Sequence, residues 1–565
     1  MVGKEVPAST EGLSPGETPE DRGPQSADPD SGSALVRATA GMAVGTALSR
    51  LTGFLRVAAM AFALGVAESR LNDAYSVANN IPNIVYELIL GGVLTSVFVP
   101  VFVRQLGQRS KEQAWRSAQA VITVTFLVLA LVTLVGILAA PWIVRLYTTR
   151  IPGIEERAAV QDLATLFLRF FMPQILMYGV GAVASGLLNA RGRFAAPMFA
   201  PILNNLIVIG TFLTFAFMPG PAEPTPEAIT FAQKLVLGIG TTAGVLAMTA
   251  ALWPSLRRVG FRWRWRPEFR NEAVRSLVKL SGWAVLYVVF NQLGLLVVIV
   301  LAGEVTGGYA SYLAAFILFQ LPHAIFSVSI MTALLPSLSG SWQRGNLDEF
   351  RSSLARGIRI SALMVLPAAA GYLALSRPIV RLLLEHGVAG AASSALVSKV
   401  LTYFVLGLFS FSAFMLFLRA FYAMSDTRTP ALINIFAVGI NTIVNLILFP
   451  VLGVAGLALG HAIAYTFAAI TSAIVLRRRL GGLEGRALAR GMGRIVIAAA
   501  ATGGAAWAVA VVAGRILDPS SIAGQVAQVG LGVVVGLVTF VLATMVLRIE
   551  EFDLVKRMVR PRFRT

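Results

Sequence analysis

The chain has 565 residues, of which 56% are apolar, only 13% are Asp, Glu, Lys or Arg, and none is cysteine. An average soluble domain carries about 25% charged residues, so this balance excludes a soluble globular protein of this size, and the missing cysteine excludes disulfides, Cys-ligated zinc and thiol chemistry. The net charge of +19 would suggest nucleic acid in a soluble protein; here its meaning depends on where the charge lies.

Residues 1–33 are rich in Pro, Gly, Ser and acidic residues and nearly free of large apolar ones. Such a segment cannot bury enough surface to offset its ordering entropy and reads as a disordered acidic tail. No basic stretch leads directly into an apolar core, so it is not a secretory signal. From Ala38 onward, runs of about 20 apolar residues recur and predict fourteen spans. They lie near 38–66, 74–103, 118–140, 161–189, 195–218, 231–253, 277–302, 309–338, 354–375, 396–423, 430–450, 454–476, 491–513 and 524–547. Nothing alternates with period two as a barrel would, so the spans are helices and the fold class is all-α, polytopic membrane.

Lys and Arg in the connections set the orientation. With both termini in the cytoplasm, the inside connections hold 22 basic residues and the outside ones 7. The basic balance is then a topology signal and a contact with anionic membrane lipids; nucleic-acid binding is the weaker reading and is not expected. The linker 254–276 includes Phe261-Arg262-Trp263-Arg264-Trp265-Arg266, which reads as an interfacial segment with Trp at headgroup depth. The tail 548–565 mixes basic and apolar residues and reads as another inner-surface segment.

The sequence repeats weakly. Pro100 ends one span and Pro336 another, each followed by an acidic, aromatic, Arg, Ser pattern (Glu112, Trp115, Arg116, Ser117 against Asp348, Phe350, Arg351, Ser352). Ala190–Pro197 matches Ala423–Pro430 at nearly the same offset. This predicts two six-helix lobes, 38–253 and 277–476, in parallel repeat about the membrane normal. Transporters of this kind hold substrate between the halves. Spans thirteen and fourteen, 491–547, fall outside the duplication.

Ionisable groups inside spans are expensive and usually face a bundle interior or a wet cavity. The first span contains Arg50 and Arg56, six residues apart and therefore diverging by about 120°. A guanidinium offers a rigid fork of donors suited to phosphate; a carboxylate partner, or snorkelling for Arg50, is the bland alternative. The second span holds Asn72-Asp73-Ala74-Tyr75 and Asn79-Asn80-Ile81-Pro82-Asn83, which reads as a broken helix lining water. Glu87, one turn on, is a partner for Arg56, a proton site or, as the favoured reading, a structural or gating ion pair. His323 and His461 read as structural, His461 in helix packing beside Gly456-x-x-x-Gly460. Asn434, Asn441 and Asn445 read as interhelical hydrogen-bonding groups or, less simply, amide ligands for a cation. Three histidines do not suit a metal centre, and none is expected. No phosphate loop, HExxH or GxSxG is present, so the chain does not read as an enzyme and no cofactor is expected.

Ser49-Arg50-x-x-Gly53-x-x-Arg56, Asn72-Asp73-Ala74-Tyr75, Ile81-Pro82-Asn83, Phe98-Val99-Pro100, Leu334-Leu335-Pro336, and Leu418–Ala423 with Asp426–Pro430 together resemble the MurJ/MviN family of the multidrug/oligosaccharidyl-lipid/polysaccharide exporter superfamily. The resemblance covers about residues 38–480. It implies fourteen helices in two lobes and a lipid II flippase. The substrate would be undecaprenyl pyrophosphate carrying the GlcNAc–MurNAc-pentapeptide unit, moved from inner to outer leaflet by alternating access, with the lipid tail held along the last two helices. It further implies a bacterial plasma-membrane location and a part in peptidoglycan synthesis. The implied substrate-binding set is Arg50, Arg56, Asp73, Asn83 and Glu87. Positions that are basic in many members are Tyr86, Glu87 and Ile317 here. The alternatives are an exporter of another polyprenyl-linked oligosaccharide or of a drug, or a non-transporting scaffold that recruits cell-wall synthesis proteins through its tail.

Overall fold

The computed structural model describes residues 29–89, 111–221, 223–270, 282–483, 485–518 and 520–552. Among these there are helices, short turns and no strand. In the N-terminal half run α1 (Pro29–Leu64), α2 (Leu71–Ile89), α3 (Lys111–Tyr147), α4 (Ile154–Phe171), α5 (Gln174–Ala190), α6 (Ala195–Phe217), α7 (Phe231–Ala250) and the short α8 (Trp253–Arg258). The C-terminal half holds α9 (Gly282–Ala302), α10 (Gly308–Pro322), α11 (Val328–Gln343), α12 (Leu347–Leu384), α13 (Ala391–Val405), α14 (Leu408–Ala423), α15 (Arg428–Leu452) and α16 (Val454–Leu480). The last pair is α17 (Gly485–Ile516) and α18 (Ile522–Val546).

Ten of these described helices or helix pairs are long and apolar enough to cross a membrane, and eleven if the bent pair α13–α14 counts as one span. The count of fourteen is not reached among the described residues: the predicted spans 38–66, 74–103 and 277–302 overlap α1, α2 and α9, which lie outside that set. Large apolar side chains face outward along α3 (Leu131, Leu134, Leu138) and α18 (Val533, Leu537). A water-soluble monomer does not expose apolar surface on that scale.

The ends of the helices are written locally. Thr230 and Gln233 form a reciprocal capping box on α7, and Asn346 caps α12 with Asp348 and Glu349 in its first turn. These contacts satisfy N–H groups that a helix start leaves without partners. Helix α16 ends on Arg477, Arg478 and Arg479, with Gly481 left-handed after them, the usual stop for a helix.

Breaks fall elsewhere than the sequence predicts. Helix α2 runs through Pro82 without interruption, and the Asn83 side-chain amide donates to the Asn79 carbonyl at 2.9 Å. Neighbouring side chains make a proline tolerable in such a helix. Pro336 lies inside α11 rather than at its end, while Pro100 lies outside the described residues. The real breaks come at Met172–Pro173 between α4 and α5, at Leu406–Gly407 between α13 and α14, and at a π-helical turn, His323–Ser327, between α10 and α11. The α13–α14 break bends the pair by 50°.

Corresponding helices start at Lys111 and Leu347, Ile154 and Ala391, Gln174 and Leu408, and Ala195 and Arg428. A break sits between the second and third of these starts in each half. Helix α1 packs on α6, α2 on α4, and α6 on α7; α15 packs on α16, α12 on α13, and α9 on α15. The last two helices pack on each other and on α12. The C-terminal segment docks here too: Ile549 is buried, and Glu551 accepts from Arg359 of α12 at 2.5 Å. Helix α1 already begins at Pro29, so the end of the predicted tail is helical.

The linker lies along α3. Gln119 donates to the Arg262 carbonyl at 2.7 Å, the Arg266 N–H donates to Thr123, and Trp263 and Trp265 pack on Phe126. Arg262, Arg264, Trp263 and Trp265 remain exposed.

Candidate functional site

The two halves are tied together at one end of their seam. The connection after α1 donates from the Val66 and Ala67 N–H groups to the Ser393 hydroxyl at 3.2 and 2.9 Å. The Glu68 carboxylate accepts from Val66 N–H at 2.9 Å, from Gly390 N–H at 2.7 Å and from the Ser393 hydroxyl. Val388 N–H donates to the Phe62 carbonyl. Burial raises the Glu68 carboxyl, but these hydrogen bonds outweigh it and hold it below the usual carboxylate range.

Arg70, 3% exposed, sits at the centre of the same end. Its guanidinium donates to Glu156 at 2.6 Å and to the carbonyls of Gly303 at 2.9 Å and Val305 at 3.4 Å. Asp73 lies 3.9 Å from it and accepts from the N–H groups of Gly307 at 2.8 Å and Ala310 at 3.0 Å. Asp73 therefore caps the start of α10 from the opposite half, a charge-assisted use of unpaired helix N–H groups. Arg150 pairs with Glu304 at 2.6 Å beside it. Gly307 has φ +66°, and a Cβ there would run into the Val66 carbonyl; the close approach of the two connections requires glycine. We call this set the latch.

At the opposite end the ion pairs among the described residues stay within one half. Arg344–Glu349, Arg351–Asp348 and Arg479–Asp426 join residues of the C-terminal half, and Arg116–Glu268 joins α3 to the linker that follows α8.

Between the two ends lies a cavity of about 150 Å³. Arg56 of α1, Tyr75, Ser76, Asn79, Asn80 and Asn83 of α2, and Asn204, Thr241 and Tyr178 of α6, α7 and α5 line it, and α10 of the other half closes it with Leu313, Ala314 and Ile317. Tyr75 anchors this wall. Its hydroxyl pairs with Thr241 at 2.8 Å, and its ring meets Phe167, Phe171 and Phe212 edge-on at 5.4–5.8 Å between centroids. Arg56 is the one charged residue among the described lining, and it makes no ion pair with any described carboxylate. A partly buried guanidinium without a counter-charge is costly unless an anion or water meets it.

A second cavity of about 500 Å³ lies in the C-terminal half, between α9, α10, α14, α15 and α16. Asn80 and Leu313 line both cavities. A third, of about 370 Å³, is wholly apolar and runs between α17 and α18 from Ala508 to Leu531.

The five residues implied by sequence therefore separate. Arg56 and Asn83 share the first cavity. Arg50 is exposed on α1 and lines neither cavity. Asp73 lines neither as well; its carboxylate is used in the latch. The Glu87 side chain lies outside the described residues. Sequence reasoning missed the Glu68–Ser393 contact, because its partners are 325 positions apart. Arg70 stands in the short connection between the first two predicted spans and carries no local signal of its role. The polar cluster Asn79-Asn80 in an apolar stretch was the available signal for the cavity wall.

A family model described as "Lipid II flippase MurJ" matches residues 60–523. A "Probable lipid II flippase MurJ" of Rhizobium meliloti (strain 1021) is 31% identical over 467 residues, covering 82% of this chain and 85% of that protein. A "Lipid II flippase MurJ" of Burkholderia cenocepacia is 28% identical over 450 residues, covering 79% and 84%. Among solved structures, "Lipid II flippase MurJ, inward closed conformation" superposes with a TM-score of 0.71 at 21% identity, over 91% of this chain and 99% of that one. An inward-facing multidrug resistance MATE family transporter of the MOP superfamily gives 0.63 at 15% identity, over 78% and 99%.

Proposed function

Because the chain belongs to the MurJ lipid II flippase family, we propose that it is a multi-pass protein of the bacterial inner membrane that moves lipid II from the inner to the outer leaflet by alternating access, and performs no covalent chemistry. The observation that carries this reading is Arg56: a guanidinium that pairs with no described carboxylate, in a cavity lined by amides and hydroxyls whose wall is completed by the other half. A pyrophosphate supplies the counter-charge that the described protein groups do not, and binds the planar fork of donors well.

The bias of basic residues assigns the latch to the outer face and both termini to the cytoplasm. The structure then corresponds to a state closed on the outside. The headgroup enters from the cytoplasmic side and its pyrophosphate meets Arg56, with Asn79, Asn80 and Asn83 offering amide groups around it. Rocking of the halves breaks the contacts of Glu68, Arg70, Asp73 and Arg150 with their opposite-half partners and exposes the head outside. The polyprenyl tail stays in lipid against the apolar cavity of α17 and α18. In place of the substrate-binding role expected for Asp73, we assign it to the latch. Arg262, Arg264, Trp263 and Trp265 on the linker hold anionic lipid at the inner surface.

The test is a leaflet-accessibility assay for lipid II in proteoliposomes of the full chain. Loss of one charge-assisted contact to phosphate costs about 1.5–3 kcal/mol, so Arg56→Ala lowers flipping about 10- to 100-fold, while Arg56→Lys retains part of it. Undiminished flipping by Arg56→Ala overturns the assignment.

A further inference from the structure

The larger cavity of the C-terminal half has a chemistry that the pyrophosphate does not use. No Asp, Glu, Lys or Arg is among its described lining residues. Its wall carries aromatic rings, Phe316, Phe411 and Tyr465 among them, and side-chain amides from α2 and α15. Three buried polar atoms on that wall have no hydrogen-bond partner: Asn80 Nδ2, Asn434 Nδ2 and His461 Nε2. Asn434 is only 1% exposed. His461 stands inside an aromatic box, with ring centroids at 5.6 Å to Phe316, 5.7 Å to Phe319, 5.3 Å to Phe404, 5.9 Å to Phe411 and 4.5 Å to Tyr465.

Buried polar atoms in native proteins are almost always satisfied, and each exception calls for an explanation. Three such atoms around one cavity, from α2, α15 and α16, are not explained by packing, because apolar residues would fill the same wall at lower cost. The cavity volume of about 500 Å³ falls within the ordinary range for ligand sites, roughly 300–1,000 Å³. An anionic ligand finds no cation there, and a hydrocarbon tail would leave the amides unmet. What fits is an uncharged ring with hydrogen-bonding groups at its rim and C–H groups on its faces.

We propose that this cavity is a sugar subsite, which binds an N-acetylated sugar of the headgroup while Arg56 holds the pyrophosphate. The proposal rests on the flippase reading and deepens it. Asn80 and Leu313, shared by both cavities, are the point where one ligand passes from the charged compartment to the neutral one. Asn80, Asn434 and His461 hydrogen-bond the sugar's hydroxyl and acetamide groups, and the aromatic rings cover its apolar face. Sites built to hydrogen-bond a ligand reject an analogue lacking those groups far more strongly than a purely apolar pocket does.

The experiment compares two probes on the purified full chain, lipid II and bare undecaprenyl pyrophosphate, with binding followed by native mass spectrometry and thermal stability measured without ligand. Wild type prefers lipid II. Asn434→Leu and His461→Phe, which keep the shape of the wall, lower affinity for lipid II about tenfold or more. They leave bare undecaprenyl pyrophosphate bound as in wild type, and leave the unliganded Tm unchanged or raised. Arg56→Ala weakens both probes. The proposal is overturned if Asn434→Leu and His461→Phe bind lipid II like wild type, weaken both probes alike, or lower the unliganded Tm, since the wall then serves only packing or water. Wild type that holds neither probe overturns the flippase reading itself, an outcome distinct from these.

Discussion

Arg70 and Arg56 are arginines of the same half, and their surroundings differ in one respect. Arg70 is buried, and its Nε and Nη1 are met by Glu156, Asp73 and two carbonyls, the carbonyls supplied by the other half. Arg56 is half-buried in a cavity with amides and a tyrosine around it and no described carboxylate in contact. The difference teaches that a charge inside a membrane protein is not by itself a binding group. A charge that the protein has already satisfied holds structure, and a charge left open to a cavity awaits a ligand.

Breaking the comparison at its structural side gives the largest effect. Arg70→Ala leaves Glu156 and the buried Asp73 without their cation, and removal of one partner of such a buried pair costs about 3–5 kcal/mol. A large drop in unfolding free energy or Tm in detergent is expected, with Arg56→Ala under the same conditions within about 0.5 kcal/mol of wild type. Equal losses from the two substitutions would erase the distinction. Arg56→Ala should show its effect in substrate binding and flipping, as set out above, rather than in stability.

A smaller effect is expected at the rim of the latch. Glu68→Gln replaces a carboxylate that accepts four hydrogen bonds, from Val66, Ala67, Gly390 and Ser393, with an amide whose NH2 faces an N–H donor whichever way it turns. At about 0.5–1 kcal/mol net, labelling of a cysteine at Asn80 from the latch face should rise about two- to five-fold. The Glu68 carboxyl is held below its ordinary range. A depressed carboxylate contributes its contacts above the unfolded value and loses them only as pH falls through the folded one. Labelling in the Asn80→Cys protein with Glu68 intact, divided at each pH by the rate for a free thiol so that thiolate formation cancels, should therefore stay flat from pH 8 to pH 5. A rise within that window would contradict the assigned charge state.

Much of the fold was legible because lipid leaves the backbone few choices: long apolar stretches without period-two alternation become helices. The breaks were less legible. Pro82 and Pro336 sit inside continuous helices, since neighbouring groups absorb a proline there. The bend at Leu406–Gly407 and the π-turn at His323 depend on packing that no local pattern states. In the site, Arg56, Asn79, Asn80 and Asn83 stood out as polar residues in apolar surroundings. Asp73 stood out equally, yet its role depends on N–H groups at Gly307 and Ala310, more than 230 positions away. Asn434 and His461 were visible as polar residues of spans, but the cavity that joins them to Asn80 exists only once six helices have packed.

The chain's lack of cysteine permits the most direct measurement of the central claim. A single cysteine at Met60, which lines the same cavity and leaves Arg56 in place, is exposed in the protein in oriented vesicles to a membrane-impermeant thiol reagent from either face, with and without lipid II. The account predicts labelling from the cytoplasmic face and protection by lipid II. A cysteine that is unreactive from both faces, or that reacts equally whether or not lipid II is present, would contradict it.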